Sequence, residues 1–144
     1  MKDIYSKVQK SLVRFMGDFA TANNFTLGVE TLDGHADDST LPDGDLIGYA
    51  GLSMEVDGQI HVVNVMIGII TYNDQNLTRL SNMISKLYDR LQPEEKIDMF
   101  KDDPNHVMGF LKVIDGTRVM PVSGNIARPL QYIQVNFVTS LVEN

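Results

Sequence analysis

The chain has 144 residues, 43% of them hydrophobic and 22% charged, a size and balance that point to one folded domain (1–144) with a core of its own. It has no cysteine, which excludes disulfides, a thiol nucleophile and cysteine-based zinc sites. A net charge of −7 argues against binding nucleic acid through phosphate contacts, and no apolar run is long enough to span a bilayer.

The first ten residues mix charges with apolar side chains and do not read as a signal peptide. Over residues 3–22 the positions Ile4, Val8, Leu12, Phe15, Met16 and Phe19 recur at helical spacing, with Lys7, Lys10 and Arg14 in a separate stripe expected to be solvated. Asn23 and Asn24 are expected to stop it. Residues 25–32 alternate weakly, as a strand would. Residues 30–45 then form an acidic loop without Lys or Arg that contains Glu30, Asp33, Asp37, Asp38, Asp43 and Asp45.

Two apolar segments flank Asp57 and Gly58, and such a dipeptide between apolar runs signals a two-residue hairpin turn. That turn pairs Val56 with Gln59, Leu52 with Val63, Ala50 with Val65, Gly48 with Ile67 and Leu46 with Ile69, an apolar face expected to pack on helices. Tyr49, Ile60, Val62 and Met66 then stand on the second face among Ser53, Glu55 and Asn64, which is more apolar than a purely solvated face usually is. Gly48, Gly51 and Gly68 are candidate bulge or bend sites.

Asp74 is placed to cap a helix whose stripe is Leu77, Leu80, Ile84, Leu87, Tyr88 and Leu91, and Pro93 ends it. Residues 93–104 are charged and mixed, with a short helical turn expected around Ile97 and Phe100. Residues 107–114 read as a strand ending at Asp115 and Gly116. Residues 117–130 hold Pro121, Gly124 and Pro129 and read as an irregular arm. Residues 131–142 close the chain as a strand, with Ile133, Val135, Phe137 and Leu141 on one side. The fold class is therefore α+β: a single, mainly antiparallel sheet with a long β-hairpin and two helices packed on one face.

No constellation carries catalysis, a cofactor or a metal. His35, His61 and His106 lie far apart in unrelated contexts, and His35 with Asp37 and Asp38 lacks the ligand order of an EF-hand. No phosphate-cradling glycine motif or nucleophile elbow is present. Asn76-Leu77-Thr78 matches a glycosylation sequon at a predicted helix start, which reads as chance.

The hairpin at residues 46–72, the helix at 75–91, the closing strands and the passage HVVNVMIGIITYNDQNLTRLSNMISKLYDRL together resemble the tail terminator (tail-completion) proteins of long-tailed bacteriophages. The resemblance is one of pattern over most of the chain, and the loop at 30–45 has no counterpart in it. It implies a structural virion protein without catalysis or cofactor, located in the tail or neck and assembled in the bacterial cytoplasm. Its partners would be itself in a ring, usually a hexamer, the tail tube protein, neck or connector proteins and sheath, with DNA only as passing cargo. On that footing the interface falls on Tyr49, Ile60, Val62 and Met66, with Arg118 and Arg128 as candidates for intersubunit ion pairs. Lumen or docking contacts fall on Asp37, Asp38 and Asp43. These residues are chosen from face and charge, without a family motif behind them. An acidic lumen would repel the DNA backbone and let it slide.

Two alternatives stay open. One is another tail or injection-machine subunit, such as a tube, connector or baseplate protein. The other is a small α+β ligand-binding domain or enzyme, supported by the strand residues Asn64, Gln134 and Asn136.

Overall fold

A computed structural model of the chain describes residues 3–24, 31–33, 44–100, 106–124 and 127–141. Helix α1 (Ile4–Ala22) buries Ile4, Val8, Leu12, Phe15, Met16 and Phe19, the stripe that its 3.6-residue period lines up. Asn23 ends it by donating its side-chain amide to the Phe19 carbonyl at 2.9 Å. Strands β1 (Leu46–Asp57) and β2 (Ile60–Ile70) follow as the long hairpin. A 3₁₀ turn (Gln75–Leu77) leads into α2 (Thr78–Arg90), which buries Leu80, Ile84 and Leu87. The rest is β3 (Lys96–Phe100), β4 (Val107–Val113), the two-residue strands β5 (Arg118–Val119) and β6 (Ser123–Gly124), and β7 (Pro129–Leu141).

The fold is α+β. Among the described residues, seven strands form one sheet in the order β1-β2-β7-β4-β3, with β5 and β6 paired to β7, and each of these strand pairings is antiparallel. Helix α1 packs on β1 and β3, and α2 on β2 and β7. The buried residues of both helices join Ile47, Tyr49, Val63, Val65, Ile67, Ile69, Leu111, Val113, Ile133, Val135 and Phe137 in one cluster, so both helices cover the same face. A fully buried aliphatic side chain contributes about 1.5–3 kcal/mol, so this layer dominates stability. A smaller cluster of Leu32, Leu46, Ala50 and Ile70, with Met66, Leu130 and Tyr132 against it, lies on the opposite face at one end.

Several expectations are corrected. The segment expected to turn helically around Ile97 and Phe100 contains β3 instead. Ile97 and Met99 are buried and alternate with exposed Lys96 and Asp98, a period of two that charged neighbours disguise. The hairpin register also differs. Asp57 pairs with Ile60, so Gly58 and Gln59 are the central turn residues, and Gly58 supplies the positive φ of 66°. Met54 therefore faces Val63, and a bulge between Ala50 and Ser53, where Gly51 has φ 62°, resets the pairing to Ala50 with Met66 and Tyr49 with Ile67. Leu77 also differs: it leaves the helical stripe, adopts φ 59° before α2 and stands 37% exposed.

Of the proposed bulge glycines, Gly51 is one, whereas Gly48 and Gly68 pair regularly with each other. The strand expected at 25–32 falls mostly outside the described residues, although Thr31 forms a parallel bridge with Tyr49.

Candidate functional site

The face of the sheet opposite the helices has an open half. Cross-strand partners share a face, so the register reads out its rows. Glu55 neighbours Val62, Val62 neighbours Val138, and Val138 neighbours Lys112. The next row is Ser53, Asn64 and Asn136, and beyond it Ala50, Met66, Gln134 and Arg118. Phe110 stands on the same face, opposite Ser140, with the Lys96 ammonium 5.2 Å from its ring centre. Lys112 pairs with Glu94 at 2.9 Å. Val62, Asn64, Gln134, Asn136, Val138 and Phe110 are all half-buried, an apolar and amide mixture that no second layer covers among the described residues.

Of the residues expected at an interface, Val62 and Met66 stand on this face, and Ile60 stands at its tip, 39% exposed. Met66 also packs on the small cluster beneath Leu32. Arg118 is exposed and shares a row with Met66 through Gln134. Arg128 is buried at 7% exposure, with its guanidinium 5.8 Å from the centre of the Tyr72 ring. Tyr49 does not belong to this face. It is 3% exposed in the main core, where its hydroxyl accepts from Gln9 Nε2 at 2.5 Å, because the Gly51 bulge turns the lower half of β1 over. Ala50, expected in the core beside Val65, moves to the small cluster for the same reason. Asp37, Asp38 and Asp43 lie outside the described residues.

Sequence reading missed Val138, Phe110 and Lys112 on this face. Their parity along the strands was legible, but which strand neighbours β7 was not.

A second feature is a cleft of about 670 Å³ at the far end of β2. One wall is the loop of Asn73, Asp74, Gln75, Asn76 and Leu77, and the other is Val122, Ser123, Gly124, Ala127 and Pro129. Asn73, Asn76 and Leu77 all have positive φ, conformations costly to non-glycine residues. The one acid lining it, Asp74, is committed. Its carboxylate accepts from Thr71 Oγ1 at 2.9 Å, from Arg79 N–H at 3.0 Å and from Leu80 N–H at 2.8 Å, so it caps α2 from across the 3₁₀ turn. Burial pushes its pKa up, but the hydrogen bonds from Leu80, Arg79 and Thr71 and the Arg79 charge outweigh it and hold the carboxyl below its ordinary value. Arg79 in turn grips Asp45 through Nε at 2.9 Å and Nη2 at 3.0 Å and donates to the Tyr72 carbonyl, tying the base of the hairpin to α2.

No family model matches the chain, and no curated protein matches it. A solved structure superposes on it with a TM-score of 0.66 at 9% identity, covering 99% of this chain and 99% of that one. That likeness is of fold. Among the described residues, no three His, Asp or Glu side chains gather as metal ligands. His61 is half-buried on β2 with its backbone N–H donated to Thr139 Oγ1, and His106 is exposed. A smaller cavity of about 160 Å³ between α1 and β3 holds Asp18 and Asp98 among Arg14, Arg90 and Lys96. There Arg14 stacks 4.1 Å over Phe100, so that part of the basic stripe serves packing. No described helix is long and apolar enough to cross a membrane.

Proposed function

We propose that the chain is a structural subunit of the bacteriophage tail-terminator kind, whose copies close into a ring on the end of a tail tube and meet the head or neck. The observation that carries this reading is the open half of the sheet. Ile60, Val62, Val138 and Phe110 stand there without a covering layer among the described residues. A surface of that composition gains when buried against a protein neighbour, and stable interfaces remove roughly 1,200–2,000 Å² from water. The acidic balance of the chain suits a channel through which DNA passes without adhering.

Sedimentation with negative-stain imaging, alone and with tail tubes, tests the reading. Closed rings seated on tube ends are expected. Long open stacks would assign the chain to the tube subunits instead, and a strict monomer indifferent to tubes would end the proposal.

A further inference from the structure

The hairpin tip and the cleft lie at opposite ends of β2 and match in chemistry. At the tip, Val56 is 67% exposed and Ile60 is 39% exposed. Val56 pairs with His61 and Ile60 with Asp57, so the two apolar side chains project from opposite faces and make a two-sided wedge. The cleft offers two walls to such a wedge, with Leu77 37% exposed on one and Val122 44% exposed on the other.

The charges match as well. Residues 46–70 carry Glu55 and Asp57, both at the tip, and no Lys or Arg. Residues 116–141 supply the second cleft wall and carry no acid; of their arginines, Arg118 is exposed on the arm beyond the cleft lining, whereas Arg128 is buried. The polar groups left in the cleft are amides and a hydroxyl, since the Asp74 carboxylate is taken up by its cap. That is poor equipment for a charged metabolite and sufficient for an apolar wedge.

We propose that the hairpin tip of one copy seats in the cleft of the next, with Val56 and Ile60 between the Leu77 and Val122 walls and Glu55 and Asp57 toward the exposed Arg118 of the arm. A chain cannot do this to itself, because the strand from Ile60 to Ile70 holds tip and cleft roughly 35 Å apart at about 3.3 Å per residue. The contact is therefore head-to-tail, the kind that closes rings or runs on as filaments. It deepens the ring reading above and rests on it for closure only.

The test uses Val56→Asp and Leu77→Asp, both exposed positions, in the full chain. Each alone should weaken self-association by about tenfold or more. Mixed in equal amounts they should form dimers and nothing larger, because a mixed pair retains one intact tip and one intact cleft. Because the chain has no cysteine, Val56→Cys with Leu77→Cys supplies a second readout. Oxidation should link copies covalently, which requires Cα atoms closer than about 7 Å. Rings unaffected by either aspartate, with no cross-link, would overturn the contact and leave the ring reading standing. Cross-linked chains of open length without rings would keep the contact and remove the ring reading. A cleft that binds a small apolar dye equally in assembled and monomeric protein would overturn the contact, since the tip would then not occupy it.

Discussion

A methyl group added at Gly68 would sit 2.7 Å from Tyr132 Cε1 and 3.0 Å from Leu32 Cδ1. The Tyr132 ring lies across that glycine, so the residue is required by a close approach and not by a bend. Gly68→Ala should cost about 1–3 kcal/mol in a denaturant titration, and an unchanged midpoint would mean that the ring moves aside cheaply. Asp74 acts through its hydrogen bonds to the start of α2. Asp74→Asn keeps the size but loses the charge, and should cost about 1–2 kcal/mol near neutral pH. The sign of its pH dependence follows from its lowered pKa. Stability from this carboxylate is fully present above the ordinary value of 3.8 and is lost as pH falls through the lower folded value. The melting temperatures of wild type and Asp74→Asn should therefore converge below about pH 4. A constant gap would show that the effect is not one of ionisation.

At the scale of the element, the hairpin turns on two local events. Placing Gly58 and Gln59 at the tip slips the partners by two residues and preserves the faces, since side chains alternate with a period of two. The bulge at Gly51 then adds one residue to β1, which reverses its faces from Ala50 downward. That reversal sends Tyr49 to the core while leaving Val62 outside. Val65, 1% exposed, and Val62, half-buried, accordingly separate two roles on one strand. Val65→Asp should cost at least about 3 kcal/mol of folding stability, because it buries an unpaired charge. Val62→Gln should stay within about 1 kcal/mol in the monomer and impair assembly. Equal losses at both positions in a thermal melt would refute the face assignment. Met66→Gln should fall between them, because Met66 also packs on the cluster beneath Leu32.

For the whole molecule, two helices on one side of a sheet build a single main core and leave the other side half covered. The proposed assembly then depends on both apolar burial and a charge match between an acidic tip and the exposed Arg118 of the arm. Exposed charges are screened over about 10 Å at 0.1 M salt. Raising salt from low values to about 0.5 M should weaken self-association, and Arg118→Gln should reduce that sensitivity in sedimentation equilibrium. Association that strengthens with salt for both proteins would point to a contact that is apolar throughout.

The sequence by itself determined the α+β class, α1 with its Asn23 stop, the strands of the hairpin, the core of α2 and the closing strand. Each is set by a local period or by a residue with a special backbone preference, and those act within a few positions of the chain. Tertiary structure decided the rest. Strand β3 exists because Ile97 and Met99 find the core beside α1, and the Tyr132 ring makes Gly68 necessary from 64 positions away. The open face depends on β7 lying between β2 and β4, and the cleft joins a loop to an arm far along the chain. These features arise from contacts through space, to which no periodicity along the chain is sensitive.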